Sequence, residues 1–409
     1  MNRMKTPRVL QQSDLNRSRA VVVAASFLVQ ATMVGVIFSY SVFFDALQAE
    51  FGWSRAVISG AASSTSLVMG LTGMIYGRLN DRLGPRVLVS WAAVLFSAGY
   101  LLMSRVSAPW QLYLSYAGLV GVAFGAHDVV TLSTVARWFR SRRGQMSGIV
   151  KTGAAAGQVV TPAVIAFLIA RFGWRGTFIW IAALTGPLVM LFAQYLRVPP
   201  PSAEQRAAAA SVDHARNIAE AGRTAMRSAT FRRICIAQLC LAFSMLTIIV
   251  HVVPYATDLG VSRQVAASVL STIGAVSIIG RLSVGTLLDR IGARRSLQIC
   301  YAMMLSSFVI LQFAFTPLVL YLFALVYGVA HGGVFTSMSP LVAECFGTAA
   351  HGRLFGTVVF IGTMGGAMGP IIAGHSFDVL ATYRPAFLLM ILLVSVALVA
   401  ISRVSSCRS

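Results

Sequence analysis

Arg281 stands between Ile278-Ile279-Gly280 and Leu282, well inside an apolar run. A guanidinium at that depth is costly unless it faces a cavity or a partner. Its parallel N–H groups fit a carboxylate, and more strongly where water is scarce. Arg281 is therefore read as an anion anchor, against the alternatives of snorkelling to the nearer surface or pairing with Asp289. His127 and Asp128 lie side by side in another apolar run. Neighbours on a helix point about 100° apart, so one faces a cavity and the other packs. His127 is a candidate substrate contact, and Asp128 a candidate proton site or ion-pair partner. Lys151 is expected to pair with Asp128 or with an acid near a helix end, and is a third candidate for proton coupling. Histidine as a residue type can carry a proton near neutral pH; His331 is placed with the substrate contacts and His251 with the proton candidates, packing being the alternative for each. Tyr40, Tyr255, Ser277 and Phe335 supply rings and hydroxyls for the wall of a binding site. No acidic pair, nucleotide loop or metal cluster points to catalysis, so neither an enzyme nor a cofactor is expected.

The elements that must position these residues follow from composition. Apolar residues make up 57% of the 409 and charged residues 11%, where soluble domains carry roughly 25% charge; mean hydropathy is +0.77. Lipid is therefore the expected solvent. Apolar windows place spans near 20–44, 55–77, 86–104, 110–136, 144–170, 175–196, 234–256, 264–288, 296–315, 317–342, 353–376 and 385–402. The expected fold is an all-α membrane protein with twelve crossings. The net charge of +21 is no argument for nucleic acid, because the arginines sit between spans. Their uneven distribution puts both termini in the cytoplasm, in a membrane read as a bacterial inner membrane. The five cysteines show no metal-ligand spacing and read as packing residues.

A polar stretch, 197–233, holds seven arginines and charges at helical spacing. It reads as a cytoplasmic linker with a surface helix, between an N-terminal six-helix unit (1–196) and a C-terminal one (234–409). The halves resemble each other. Gly77-Arg-Leu-Asn-Asp81-Arg82-Leu-Gly-Pro-Arg86 recurs as Gly285-Thr-Leu-Leu-Asp289-Arg290-Ile-Gly-Ala-Arg294, an offset of 208 from Asp81 to Asp289. The frame of Gly148 and Pro162 recurs at Gly356 and Pro370, and Gly121-Val-Ala-Phe-Gly125 at Gly328-Val-Ala-His-Gly332. An even number of spans per half lets a repeat keep its membrane orientation. Asp81, at a helix end, can pair with nearby arginines; with Arg82, Arg86, Asp289 and Arg290 it forms a candidate charge latch between the halves.

The G-x-L-x-D-R-x-G-x-R element at Gly77–Arg86 resembles the signature of the major facilitator superfamily, and its partial copy at Gly285–Arg294 extends the resemblance over the whole chain. Phe38-Ser-Tyr-Ser-Val42-Phe-Phe-Asp-Ala-Leu47 with Glu50-Phe-Gly-Trp53, and Arg137-Trp138-Phe139 with Arg142-Arg143-Gly144, are similar to the monocarboxylate transporter and oxalate:formate antiporter group. That resemblance implies an arginine in the eighth span holding the substrate carboxylate, the position of Arg281. Where the mammalian carriers have a lysine this chain has Phe38, which makes the site less polar, and where they have an aspartate one turn before the arginine it has Ser277. The second cation of the oxalate type is missing, since 357–374 contains no Lys or Arg.

One cation neutralises one carboxylate. The expected function is alternating-access transport of a small monocarboxylate of the lactate or pyruvate kind, in symport with a proton, by a monomer in membrane lipid. Anion:anion exchange of the oxalate:formate type is the alternative, and export of another small solute a more distant one.

Overall fold

Serine and proline set where many of the helices begin. Ser54, Ser228 and Ser262 accept the backbone N–H of Val57, Phe231 and Val265, the N-cap bond that satisfies an otherwise orphaned donor. Pro85, Pro109, Pro317 and Pro385 occupy first turns, where a missing N–H does no harm. A computed structural model describes residues 12–139, 141–200, 214–313 and 316–404, and all their regular structure is helical. Helix α1 (Gln12–Phe38) runs through a 3-10 turn into the short α2 (Phe44–Phe51). Then come α3 (Arg55–Leu83), α4 (Pro85–Met103) and α5 (Pro109–Leu112), which passes through a π-helical stretch into α6 (Val122–Trp138). Helix α7 (Arg143–Ala193) precedes α8 (His214–Arg227). The remainder is α9 (Ala229–Asp258), α10 (Arg263–Ile291), α11 (Ala293–Gln312), α12 (Pro317–Phe346), α13 (His351–Leu380) and α14 (Arg384–Ser402).

Ten helical segments among the described residues are long and apolar enough to cross a membrane. The difference from the twelve expected windows has two physical sources. The fifth and sixth windows run together in the 51 residues of α7, interrupted only at Gly173 (φ 68°, ψ 171°), a conformation that favours glycine. Helix α11, with Arg294, Arg295 and Gln298 in its first turns, falls outside the ten. The surface helix expected in 197–233 is α8, carrying Glu220 and Arg223; Glu204, Arg206 and Asp213 lie outside the described residues. Cys235, Cys240 and Cys300 are free and buried, as packing residues should be. Cys345 is disulfide-bonded, contrary to that expectation.

Two apolar cores form. One gathers Met33, Phe43, Phe96, Tyr100, Tyr116 and Phe178; the other gathers Phe231, Tyr301, Phe308, Phe323, Tyr327 and Phe387. Glycines bring the helix backbones together, and their contacts repeat at the offset seen in the sequence. A Cβ on Gly157 would strike the Ala31 carbonyl, and one on Gly365 the Leu239 carbonyl. Gly125 abuts the Met69 carbonyl as Gly332 abuts that of Ser277. Gly77 faces Gly352 and Gly285 faces Gly144, so α3 packs on α13 and α10 on α7 with no side chain between them. At the other face Glu50 accepts from Arg175 (2.7 Å) and from the Trp174 indole (2.5 Å), tying α2 to α7. The Arg175 bond first, and the indole second, hold the Glu50 carboxyl below its usual range. The tie is therefore present at neutral pH and lost as pH falls through that lowered value.

Gly157→Leu should lower the stability of the purified protein by about 3 kcal/mol, the scale of an overpacked contact. Gly274→Ala, where an added Cβ meets nothing within 4 Å, should leave the melting temperature unchanged or raise it. Thermal unfolding followed by tryptophan fluorescence compares the two.

Candidate functional site

The glycine contacts determine which polar residues meet. Gly148 of α7 lies on the Arg281 carbonyl, and Gly332 of α12 lies on the Ser277 carbonyl and the Arg281 nitrogen. Helices α7, α10 and α12 therefore converge at Arg281. The side chain of Arg281 is buried, at 4% exposure. Its Nη1 donates to the main-chain oxygen of Lys151 at 2.6 Å, while its Nε has no partner. Arg281 does not reach a surface, and Asp289 accepts from other groups.

Lys151, equally buried, places Nζ 2.6 and 2.7 Å from the two oxygens of Asp128. This is the partner expected for it. Gln30 of α1 completes the group, donating from Nε2 to Asp128 Oδ1 (2.8 Å) and Thr131 Oγ1 (3.1 Å). Lys151 Nζ and the Arg281 guanidinium lie 5.0 and 5.8 Å from the centre of one ring, Phe335, within cation–π range. His331 meets that ring edge-on, and both its nitrogens are buried without a hydrogen-bond partner. His127 stacks on Phe124 and donates from Nδ1 to the Phe124 carbonyl (2.6 Å), which leaves Nε2 as its lone-pair nitrogen. Two cations and one carboxylate leave this buried group with a net positive charge. An anion is what such a group lacks.

Other expected site residues stand apart. Tyr40 donates to the Ile58 carbonyl (3.0 Å) and stacks on Tyr116 within the N-terminal core. Phe38 closes α1, half exposed, about 12 Å along the helix from Gln30. Tyr255 donates to the Leu311 carbonyl and packs on Phe387. His251 donates from Nε2 to the Pro370 carbonyl (2.9 Å), and its other nitrogen meets the Tyr383 hydroxyl (3.2 Å). The two nitrogens thus tie α9 to α13 and to the residue that precedes α14. Ser277 is buried beside Arg281, but its hydroxyl donates to Gly274 of its own helix.

A second polar cluster sits where the repeated element ends. Asp81 accepts from Arg137 (2.5 Å) and from the backbone N–H groups of Gly352 (3.3 Å) and Arg353 (3.1 Å), at the start of α13. Asp289 accepts from the N–H groups of Gly144 (2.8 Å) and Gln145 (2.9 Å), at the start of α7. Each aspartate thus neutralises the positive end of a helix from the other repeat. The partners differ from those expected. Arg82 is exposed, and Arg86 donates to Gln194 (2.6 Å). A cavity of 1660 Å³ opens at this end, lined in part by Arg19, Arg137, Trp138 and Arg142, with Asp81 at its wall; the Arg281 group is enclosed elsewhere. Gln30, Thr131, Arg137 and the helix-start amides were missed from the sequence. Only Gln30, a lone amide in an apolar run, carried a signal there.

Residues 26–250 and 234–405 match the Major Facilitator Superfamily. The chain belongs to this family. It is accordingly a multi-spanning membrane transporter and not an enzyme. Among curated relatives it is 25% identical over 402 residues to mouse monocarboxylate transporter 12, covering 90% of this chain and 82% of that protein. It is 27% identical over 372 residues to rat monocarboxylate transporter 13, covering 90% and 84%. The solved proton:xylose symporter XylE shares the facilitator fold with a TM-score of 0.76 at 16% identity, over 96% of this chain and 97% of that one.

Lys151→Met should destabilise the protein by about 3 kcal/mol, because it leaves the Asp128 carboxylate buried and unpaired. Lys151→Met with Asp128→Asn should recover most of that loss. Thermal unfolding of the two single variants and the double variant measures the coupling.

Proposed function

We propose that this transporter carries a small monocarboxylate of the lactate or pyruvate kind, in symport with a proton, by alternating access. The observation that carries this reading is the buried Arg281 guanidinium, without a carboxylate of its own and beside a second cation already paired. A substrate carboxylate supplies the missing charge through the paired N–H geometry that arginine favours. Phe335 lies under both cationic heads, and His331 meets that ring. The likeness to mouse monocarboxylate transporter 12 and rat monocarboxylate transporter 13 supports the same substrate class. A bare anion entering against the membrane potential is opposed by about 2.3 kcal/mol per charge per 100 mV, and a proton travelling with it removes that opposition.

In this reading the break at Gly173 divides α7 into two crossings and α11 supplies another, giving twelve. They form two six-helix units, 1–196 and 234–409, joined by the linker 197–233. Both termini and the Asp81 and Asp289 clusters face the cytoplasm, as the arginine bias of the loops requires, in a bacterial inner membrane. The two aspartates are the latch. While they hold the helix starts of the opposite repeat, the cytoplasmic side stays shut, and rocking of the units releases them.

Anion exchange is the second reading. It draws on the same charge count, since the Arg281 group is neutral with one anion bound and positive without it. Transport that needs an anion on the far side and ignores a pH gradient would favour exchange over symport.

In proteoliposomes loaded at higher internal pH, the protein should accumulate labelled lactate or pyruvate. Arg281→Ala should reduce that uptake at least a hundredfold, and Arg281→Lys at least tenfold, while both fold normally by size-exclusion chromatography. Near-normal uptake by Arg281→Ala would overturn the assignment.

A further inference from the structure

We propose that Asp128 is the site that takes up the transported proton, exchanging its place on Lys151 with the substrate carboxylate. The inference rests on the monocarboxylate reading above.

Three observations carry it. First, the two cations of the site are coupled. Arg281 is bonded to the main chain of Lys151, and both cationic heads overlook the Phe335 ring. A carboxylate drawn to Arg281 therefore arrives beside Lys151 Nζ and competes with Asp128 for it. Second, the surroundings of Asp128 can hold either protonation state. Gln30 Nε2 donates to the ionised carboxylate, while Gln30 Oε1 is buried without a partner. When Asp128 is protonated its O–H needs an acceptor. The Gln30 amide, turned over, presents Oε1 as that acceptor, and Thr131 Oγ1 stays within its reach. Third, the charge is conserved. The groups around Asp128 are Lys151 from α7, Arg281 from α10, His127 from its own helix and the uncharged Gln30 from α1, while His331 from α12 lies by the two cations. With the histidines neutral, the empty site holds two positive charges and one negative. After one carboxylate and one proton have entered, it again holds two positive charges and one negative.

In the step itself, a water-borne proton bonds to an Asp128 carboxylate oxygen. Lys151 keeps its three protons and moves its hydrogen bonds from Asp128 to the substrate. On the far side the substrate leaves, Asp128 releases its proton to water, and the Lys151–Asp128 pair re-forms.

The test uses the full-length protein purified in weakly buffered detergent, with propanoate, L-lactate and pyruvate as probes. Calorimetry in buffers of different ionisation enthalpy gives affinity and proton uptake together. The wild type should take up about one proton per acid bound, and its affinity should rise about tenfold for each unit of pH lowered. Asp128→Asn should bind without proton uptake, with an affinity independent of pH, and at about pH 8 at least tenfold more tightly than the wild type, because Lys151 has lost its competitor. Wild-type binding without proton uptake would overturn the proposal, as would an Asp128→Asn protein that still takes up a proton. The wild-type stoichiometry decides the matter even if that variant is not recovered folded. Absence of binding by the wild type to all three acids would overturn the monocarboxylate reading itself.

Discussion

Lys151 is the residue on which the interior depends. Its ammonium neutralises Asp128, and its main-chain carbonyl holds Arg281. One residue of the first repeat therefore fixes a carboxylate on α6 and a guanidinium on α10. Neither charge would be tolerated alone at such depth. The pairing is also uneven, because the side chain satisfies an acid while the backbone gives the arginine only a dipole. The positive charge left over follows from that inequality, and it is the feature on which the proposed anion binding rests.

The backbone frame around this group is nearly symmetric, and the charges are not. Glycine contacts recur between the halves, Gly157 on Ala31 with Gly365 on Leu239, and Gly125 on Met69 with Gly332 on Ser277. The aspartates of the repeated element cap opposite helices in the same way. In the same alignment, however, Arg281 corresponds to Gly73, and Asp128, three residues after Gly125, corresponds to Phe335. The shared contacts let the helices approach closely and move as units. The polar residues of the Arg281 group stand at unmatched positions, where the repeats diverge.

Much of this was legible in the sequence, for identifiable reasons. Lipid imposes long apolar runs, so most helices and the repeated turns at Gly84 and Gly292, both at positive φ, were readable. Arg281, Asp128 and Lys151 stood out because charge is rare in such runs. Their partners were harder to find. A sequence shows which residues are polar, but not which face of a helix turns inward. Tyr40 and Tyr255 therefore looked like binding-site residues while their hydroxyls were bonded to nearby carbonyls. The aspartates of the repeated element invited arginine partners and took backbone amides as well, because helix starts carry partial positive charge without any sequence mark. The ten apolar segments among the described residues also show how a single glycine, Gly173, can let one continuous helical stretch turn without an intervening loop.

The proposed function requires that a substrate carboxylate bind Arg281 beside Lys151. Solid-state NMR can measure it directly, with 13C-carboxylate pyruvate bound to protein carrying 15N-labelled arginine and lysine. The account predicts dipolar contact between the carboxylate carbon and a guanidinium nitrogen at about 4 Å, the spacing of a paired arginine–carboxylate contact, and loss of that contact in Arg281→Lys. Saturating pyruvate that shows no contact with any arginine side chain would contradict it.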